Sequence, residues 1–204
     1  MDEVKPDAAR KSWLKERHPA WIAAQSILLL LVIFFGINAT KPLVYSSSII
    51  ANYPYQIDRE EGFLLNQALQ LSRGETIYPT LQGYPYTMGA YTPVYPAVYA
   101  VTLWFAEPTL TPGRVIVLLS VIGIAIVMAI FVYTETKQLL VALLAPSLFL
   151  TTYALNHWIG YARVDLPALF LGLLGLVLVG RKSQRLWLIA CAVVFTLAFY
   201  TKQT

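Results

Sequence analysis

Residues 115–133 form an unbroken apolar run without a single charged side chain. A helix needs about 20 such residues to cross the hydrocarbon layer of a bilayer, so this stretch fits a membrane span better than a soluble core. Further apolar runs occupy 21–37, 139–155, 166–180 and 186–200. Composition agrees: 57% of the residues are hydrophobic and 13% charged, against about 45–50% and about 25% in a soluble domain. So little charge cannot coat a water-facing surface. The 13% aromatic content excludes a disordered chain. The single cysteine, Cys191, excludes a disulfide framework and a cysteine-based zinc site. The net charge of +4 lies in short clusters, which points to membrane orientation and away from nucleic acid. The sequence predicts an all-α integral membrane protein.

Lys5, Arg10, Lys11, Lys15 and Arg17 precede the first run. A cleaved signal peptide is one reading of that pattern, but Ile37-Asn38-Ala39 is a poor small-residue cleavage site. We read 1–20 as a cytoplasmic segment and 21–37 as a first span. The runs at 166–180 and 186–200 are short for a crossing, which flanking Arg163, Arg181 and Arg185 could offset by snorkelling. The segment 95–106 has the length of an interfacial or re-entrant helix. If it does not cross, Lys137 and the Arg181-Lys182-Arg185 cluster fall on the cytoplasmic side with the amino terminus, as positive-inside bias favours. The expected architecture is therefore about five spans in 21–204, with a long external loop at 39–114 carrying interfacial helices. A second external loop falls at 156–165. The chain ends at Thr204 directly after an apolar run, and we expect it to be the front portion of something longer.

In the first loop, Asp58-Arg59-Glu60-Glu61-Gly62 opens a predicted helix over 58–73. Leu64, Leu65, Ala68, Leu69 and Leu71 recur near helical spacing, as in an amphipathic helix on a bilayer surface. Gly74 supplies a left-handed stop. Asp58-x-x-Glu61 reads as a capping box; Asp58 also reads as a general base for an acceptor hydroxyl, and the two roles are compatible. A proline- and tyrosine-rich stretch follows, including Tyr78, Pro79, Tyr84, Tyr86, Tyr91, Pro93 and Tyr95. It is either an aromatic belt with loop punctuation or a groove for a lipid-linked sugar and its acceptor.

In the second loop, Arg163 and Asp165 flank a span, where charge is costly unless paired, hydrated or functional. They either pair with each other or mark a site. His157 reads as an interfacial histidine. Lys202 is either a flanking anchor or a cation for an anionic headgroup. Asn38-Ala39-Thr40 matches a glycosylation sequon, but it sits at the membrane exit and is read as coincidence.

Asp58-x-x-Glu61-Gly62, Leu65-x-x-Ala68-x-x-Leu71-x-x-Gly74, Tyr78 and Tyr91-x-Pro93-x-Tyr95, in that order, resemble the first external loop of polyprenyl-phosphate-dependent glycosyltransferases. These belong to the GT-C superfamily, which includes protein mannosyltransferases and lipid A aminoarabinose transferases. Tyr161-x-Arg163-x-Asp165 before a span is similar to their second-loop acidic motif. The resemblance implies a first-loop catalytic base at Asp58. Many relatives have adjacent Asp-Glu, whereas Arg59, Glu60 and Glu61 follow Asp58 here, so Glu61 is carried as a second catalytic candidate. It also implies substrate contacts from Tyr91, Arg163, Asp165 and Lys202. In some members the Asp165 position helps hold a metal ion, which makes a divalent cation a candidate cofactor.

The implied activity moves a sugar from a polyprenyl- or dolichyl-phosphate donor to an acceptor hydroxyl, with inversion, on the extracytoplasmic face of the plasma (inner) membrane. A transporter or structural membrane protein is the rival. Transporters place functional polar groups near the bilayer midplane, whereas the acids and Lys202 here flank the spans. A lipid-modifying transferase that moves a non-sugar group is a further alternative.

Overall fold

A computed structural model of the chain describes residues 19–78, 91–152, 158–180 and 185–203. Among these residues the fold is all-helical. The helices are α1 (Pro19–Asn52), α2 (Arg59–Ser72), α3 (Val94–Thr102), α4 (Thr111–Thr136), α5 (Leu139–Leu150), α6 (Asp165–Val179) and α7 (Arg185–Thr201). Two of them are long and apolar enough to cross a membrane: α1 over Pro19–Ile50, and α4. The apolar helices α5, α6 and α7 have 12, 15 and 17 residues. At 1.5 Å per residue they reach about 18–26 Å, less than a hydrocarbon layer of roughly 30 Å. By length and composition, two of the five expected spans are thus long enough to cross among the described residues. α3, with 9 residues, is about 14 Å long and cannot cross.

α1 departs most from the sequence reading. The apolar run ends at Ile37, but the helix continues through Pro42 to Asn52. Its polar residues satisfy themselves within the helix, so none of them ends it. Asn38 Nδ2 donates to Phe34 O (2.8 Å), Lys41 Nζ to Asn38 Oδ1 (2.9 Å) and Ser46 Oγ to Pro42 O (2.7 Å). The segment 39–52 is therefore helix rather than loop, and the irregular connection starts after Asn52.

α2 starts and stops as its sequence predicts. Asp58 is extended (φ −114°, ψ 141°) immediately before the helix, and Gly74 is left-handed at φ 73°. Its packing is different. Leu64 and Ala68 are fully buried, because α3 packs against α2 and covers its apolar face. They belong to one core with Tyr95 and Tyr99 of α3, Val117, Val121 and Ile124 of α4, and Leu166 of α6. The apolar face expected to lie on lipid is spent on the protein interior.

The long elements pack in the order α1, α5, α4, α6, α7, each against the next, while α3 also touches α4 and α7. Two tyrosines pin α3 to the start of α4: Tyr95 donates to Gly113 O (3.0 Å) and Tyr99 to Thr109 O (2.7 Å). Gly113 leaves no room for a side chain, since a Cβ there would meet Tyr99 Cε1 at 2.6 Å and Ala162 Cβ at 2.9 Å. Gly113→Ala is expected to destabilise by about 1–3 kcal/mol, the usual cost of overpacking a filled interior. Thermal unfolding in detergent measures it. Gly36→Ala, where a Cβ would meet nothing within 4 Å, serves as the control and should be unchanged or more stable by up to about 1 kcal/mol, since alanine favours a helix interior over glycine.

Candidate functional site

The end of α1, the starts of α4 and α6 and the end of α7 meet at one end of the bundle, where α2 lies. Arg114, in the first turn of α4, ties them together. It and Glu61 are both completely buried. Arg114 Nε donates to Glu61 Oε1 (2.8 Å) and Nη2 to Oε2 (2.9 Å), a two-pronged pair. Its remaining reach goes to the carbonyls of Tyr53 and Tyr55, the latter at 2.7 Å. Glu61 also accepts from the amides of Ala162 (2.9 Å) and Ile57 (2.8 Å). One buried ion pair thus joins both loops to the ends of α1 and α4.

Burial by itself would raise the pKa of Glu61. The Arg114 hydrogen bond, the Ala162 and Ile57 amides and the guanidinium charge outweigh it, holding the carboxyl below its ordinary 4.5.

The capping box exists in outline, but Glu61 makes the better half of it. Its Oε2 accepts from Ile57 N at 2.8 Å and from Asp58 N at a long 3.5 Å. Asp58 makes no well-formed side-chain bond to the helix end and turns to Arg163 instead.

Arg163 is the second hub. Its Nη1 lies 2.8 Å from Asp58 Oδ2, its Nη2 3.0 Å from Glu60 Oε2 and its Nε 3.0 Å from Asp165 Oδ2. The guanidinium also lies over the Trp158 ring, 3.9 Å from its centroid, which fixes its plane by cation–π attraction. Lys202 Nζ, just past α7, contacts Asp165 Oδ1 at 2.6 Å. A continuous line of ion pairs therefore runs Asp58–Arg163–Asp165–Lys202, although 105 residues separate Asp58 from Arg163. Side-chain exposures of 15–34% along this line keep it open to a ligand, in contrast to the sealed Glu61–Arg114 pair.

Tyr91 borders the cluster. Burial, and then its hydrogen bond to the Glu60 carboxylate, push its phenol well up, so at neutral pH it is a protonated donor. Tyr78 Oη holds the Tyr91 carbonyl at 2.8 Å. The structure thus gathers all the sequence-derived candidates, Asp58, Glu61, Tyr91, Arg163, Asp165 and Lys202, around one locus. His157, Pro79, Tyr84 and Tyr86 lie outside the described residues, as do Arg181 and Lys182.

The sequence reading missed Arg114 and Trp158, and it raised Glu60 only as one of the glutamates that follow Asp58. A signal existed for Arg114: an arginine at the very start of an apolar run is expensive without a partner. The carboxylates at the site, Asp58, Glu60 and Asp165, are each engaged by a cationic side chain. Among the described residues no group of three or more His, Cys, Asp or Glu is placed to hold a metal, so the donor set as arranged does not fit one.

Compared with known protein families, curated proteins and solved structures, the chain matches none.

Proposed function

We propose that this protein is a multi-pass membrane glycosyltransferase of the GT-C type. It would transfer a sugar from a polyprenyl- or dolichyl-phosphate donor to an acceptor hydroxyl outside the cytoplasm. In this reading α1, α4, α5, α6 and α7 are the spans, the shorter ones completed by their flanking residues. The amino terminus is cytoplasmic and the membrane is the plasma (inner) membrane.

The single observation that carries the proposal is the ion-pair line from Asp58 to Lys202 at one end of the bundle. Asp58 takes the acceptor proton as that oxygen attacks the anomeric carbon. The bond from that carbon to the phosphate oxygen breaks on the opposite face, and the configuration inverts. Negative charge grows on the departing lipid phosphate, where Lys202, whose ion-pair partner is Asp165 alone, supplies positive charge while Arg163 holds the three carboxylates in place. Glu61, sealed and saturated by Arg114, holds the Asp58 loop in place without touching substrate. A transporter would favour charge near the bilayer midplane on broken helices; the ionised groups described above sit at helix ends, which favours surface chemistry.

Two measurements test the reading. The protein in proteoliposomes, given a labelled polyprenyl-phosphate sugar and candidate acceptors, should yield labelled acceptor. Cys191 is buried, so Asn66→Cys and Gln203→Cys can be probed in the native background. Both should react with an impermeant maleimide from the side opposite an amino-terminal tag. Labelling from opposite sides would falsify the proposal.

A further inference from the structure

We infer that the groove between α1 and α5 binds the phosphate of an anionic glycerophospholipid through Lys41, at a place separate from the Asp58–Lys202 line. The inference needs α1 to cross the membrane and does not depend on sugar transfer.

Lys41 is the only charged residue among the 34 residues of α1. Trp21 stands 20 positions before it with no charged residue between them. At 1.5 Å per residue that separation is about 30 Å, the thickness of a hydrocarbon layer. Tryptophan favours the headgroup level, so with Trp21 at one interface Lys41 falls at the other. α1 runs a further 11 residues to Asn52, about 16 Å at the same rise. Lys41 therefore lies well away from the ion pairs at the end of the bundle.

The groove has a volume of about 340 Å³ and is lined by Phe34, Phe35, Asn38, Lys41 and Pro42 of α1 and by Thr151 just past α5. None of these residues is a carboxylate, and among the described residues Lys41 has no ion-pair partner. Its ammonium instead donates to Asn38 Oδ1 at 2.9 Å. Asn38 lies about one turn nearer the bilayer interior than Lys41, so the ammonium is drawn back over the groove. A lysine serving only as an interface anchor would extend toward water. The Asn38 amide is itself fixed, because Nδ2 donates to Phe34 O at 2.8 Å. An ammonium carries three donor hydrogens; Asn38 takes one and leaves two for a ligand. The Thr151 hydroxyl gives its hydrogen to Leu148 O (2.9 Å), so Lys41 supplies both the charge and the remaining donors.

Charge and depth select the occupant. A cation beside hydrocarbon is costly without a counter-ion. A phosphate at headgroup depth supplies that counter-ion, and its acyl chain can follow the groove along Phe34, which is 60% exposed.

The test places the whole protein in phosphatidylcholine nanodiscs that carry a minor share of photoreactive phosphatidylglycerol, and maps the adducts by peptide mass spectrometry. Wild-type adducts should concentrate on 34–42 and around Thr151. Lys41→Gln should lower capture there about fivefold, the equivalent of about 1 kcal/mol per basic residue at an anionic surface, with an unchanged thermal midpoint. Lys41→Arg keeps the charge and should retain capture. Arg73→Gln, at the end of α2, should leave capture unchanged. Undiminished capture by Lys41→Gln would overturn the inference. So would an equal loss in Arg73→Gln, which would make capture a matter of net charge. Equal yields from a photoreactive phosphatidylcholine at the same residues would make Lys41 a general lipid anchor, and would overturn it as well. Altered self-association of Lys41→Gln with capture retained would assign the lysine to a partner helix, again against the inference. Capture uses neither sugar nor acceptor, so its failure leaves the transferase reading standing. Failure of sugar transfer in the proteoliposome assay leaves the lipid site standing.

Discussion

Asp58→Asn is expected to lower sugar transfer by about 10²–10⁴-fold, the usual contribution of a positioned general base, while the protein inserts and folds normally. Asparagine keeps the shape of the side chain and removes its ability to take a proton. Arg163 loses one of three carboxylate partners and retains Glu60 and Asp165, so the loss of stability should stay near the about 1 kcal/mol upper end for partly exposed ion pairs. Glu60→Gln is the informative comparison, because it removes the same charge from Arg163 without touching the base. A fall in turnover of similar size in both variants would mean that charge balance around Arg163 matters and that Asp58 is no base. Initial rates with labelled donor, and thermal midpoints in the same detergent, separate these outcomes.

The largest effect on stability is expected at the buried pair. Arg114→Ala leaves the Glu61 carboxylate in a fully enclosed site without its cation, which typically costs about 3–5 kcal/mol. Glu61→Ala strands the guanidinium and should cost as much. The double variant Glu61→Leu/Arg114→Met removes both charges together and should recover a large part of that loss, since well-packed apolar replacements of buried ion pairs are often tolerated. Additive losses would show that the two residues act independently, against the two-pronged geometry.

The same pair fixes the sign of a pH effect. The folded-state pKa of Glu61 lies below its ordinary 4.5. Its contribution is therefore complete above about that pH and is lost as pH falls through the lower folded-state value. Thermal midpoints should drop on acidification, and Glu61→Gln should flatten that part of the curve.

The loop that carries Asp58 is thus held by one hydrogen-bonded lock and presented by another. Glu61 and Arg114 are closed to solvent, while Asp58, Arg163, Asp165 and Lys202 stay partly open. Only Arg59 and Glu60 lie between the candidate chemical carboxylate, Asp58, and the structural one, Glu61. Asp58 precedes the first turn of α2 and looks toward the second loop. Glu61 lies within that first turn, on the face shared with Leu64 and Ala68, and is carried into the core with them.

Composition and apolar runs determined the helical class, since stretches with so little charge have few other ways to satisfy their backbone. Local rules also placed the ends of α2 at Asp58 and Gly74, because capping and left-handed stops depend only on neighbouring residues. What lies between apolar runs was less legible. The helix runs on through Pro42 because the polar groups of Asn38, Lys41 and Ser46 bond to the turn before, an outcome that hydropathy does not register.

Which carboxylate is sealed and which is open was decided by tertiary structure alone. Arg114 and Ala162 reach Glu61 from 53 and 101 residues away, and Arg163 reaches Asp58 from 105. Burial and charge pairing depend on distances through space, and sequence spacing fixes those only within one helical turn.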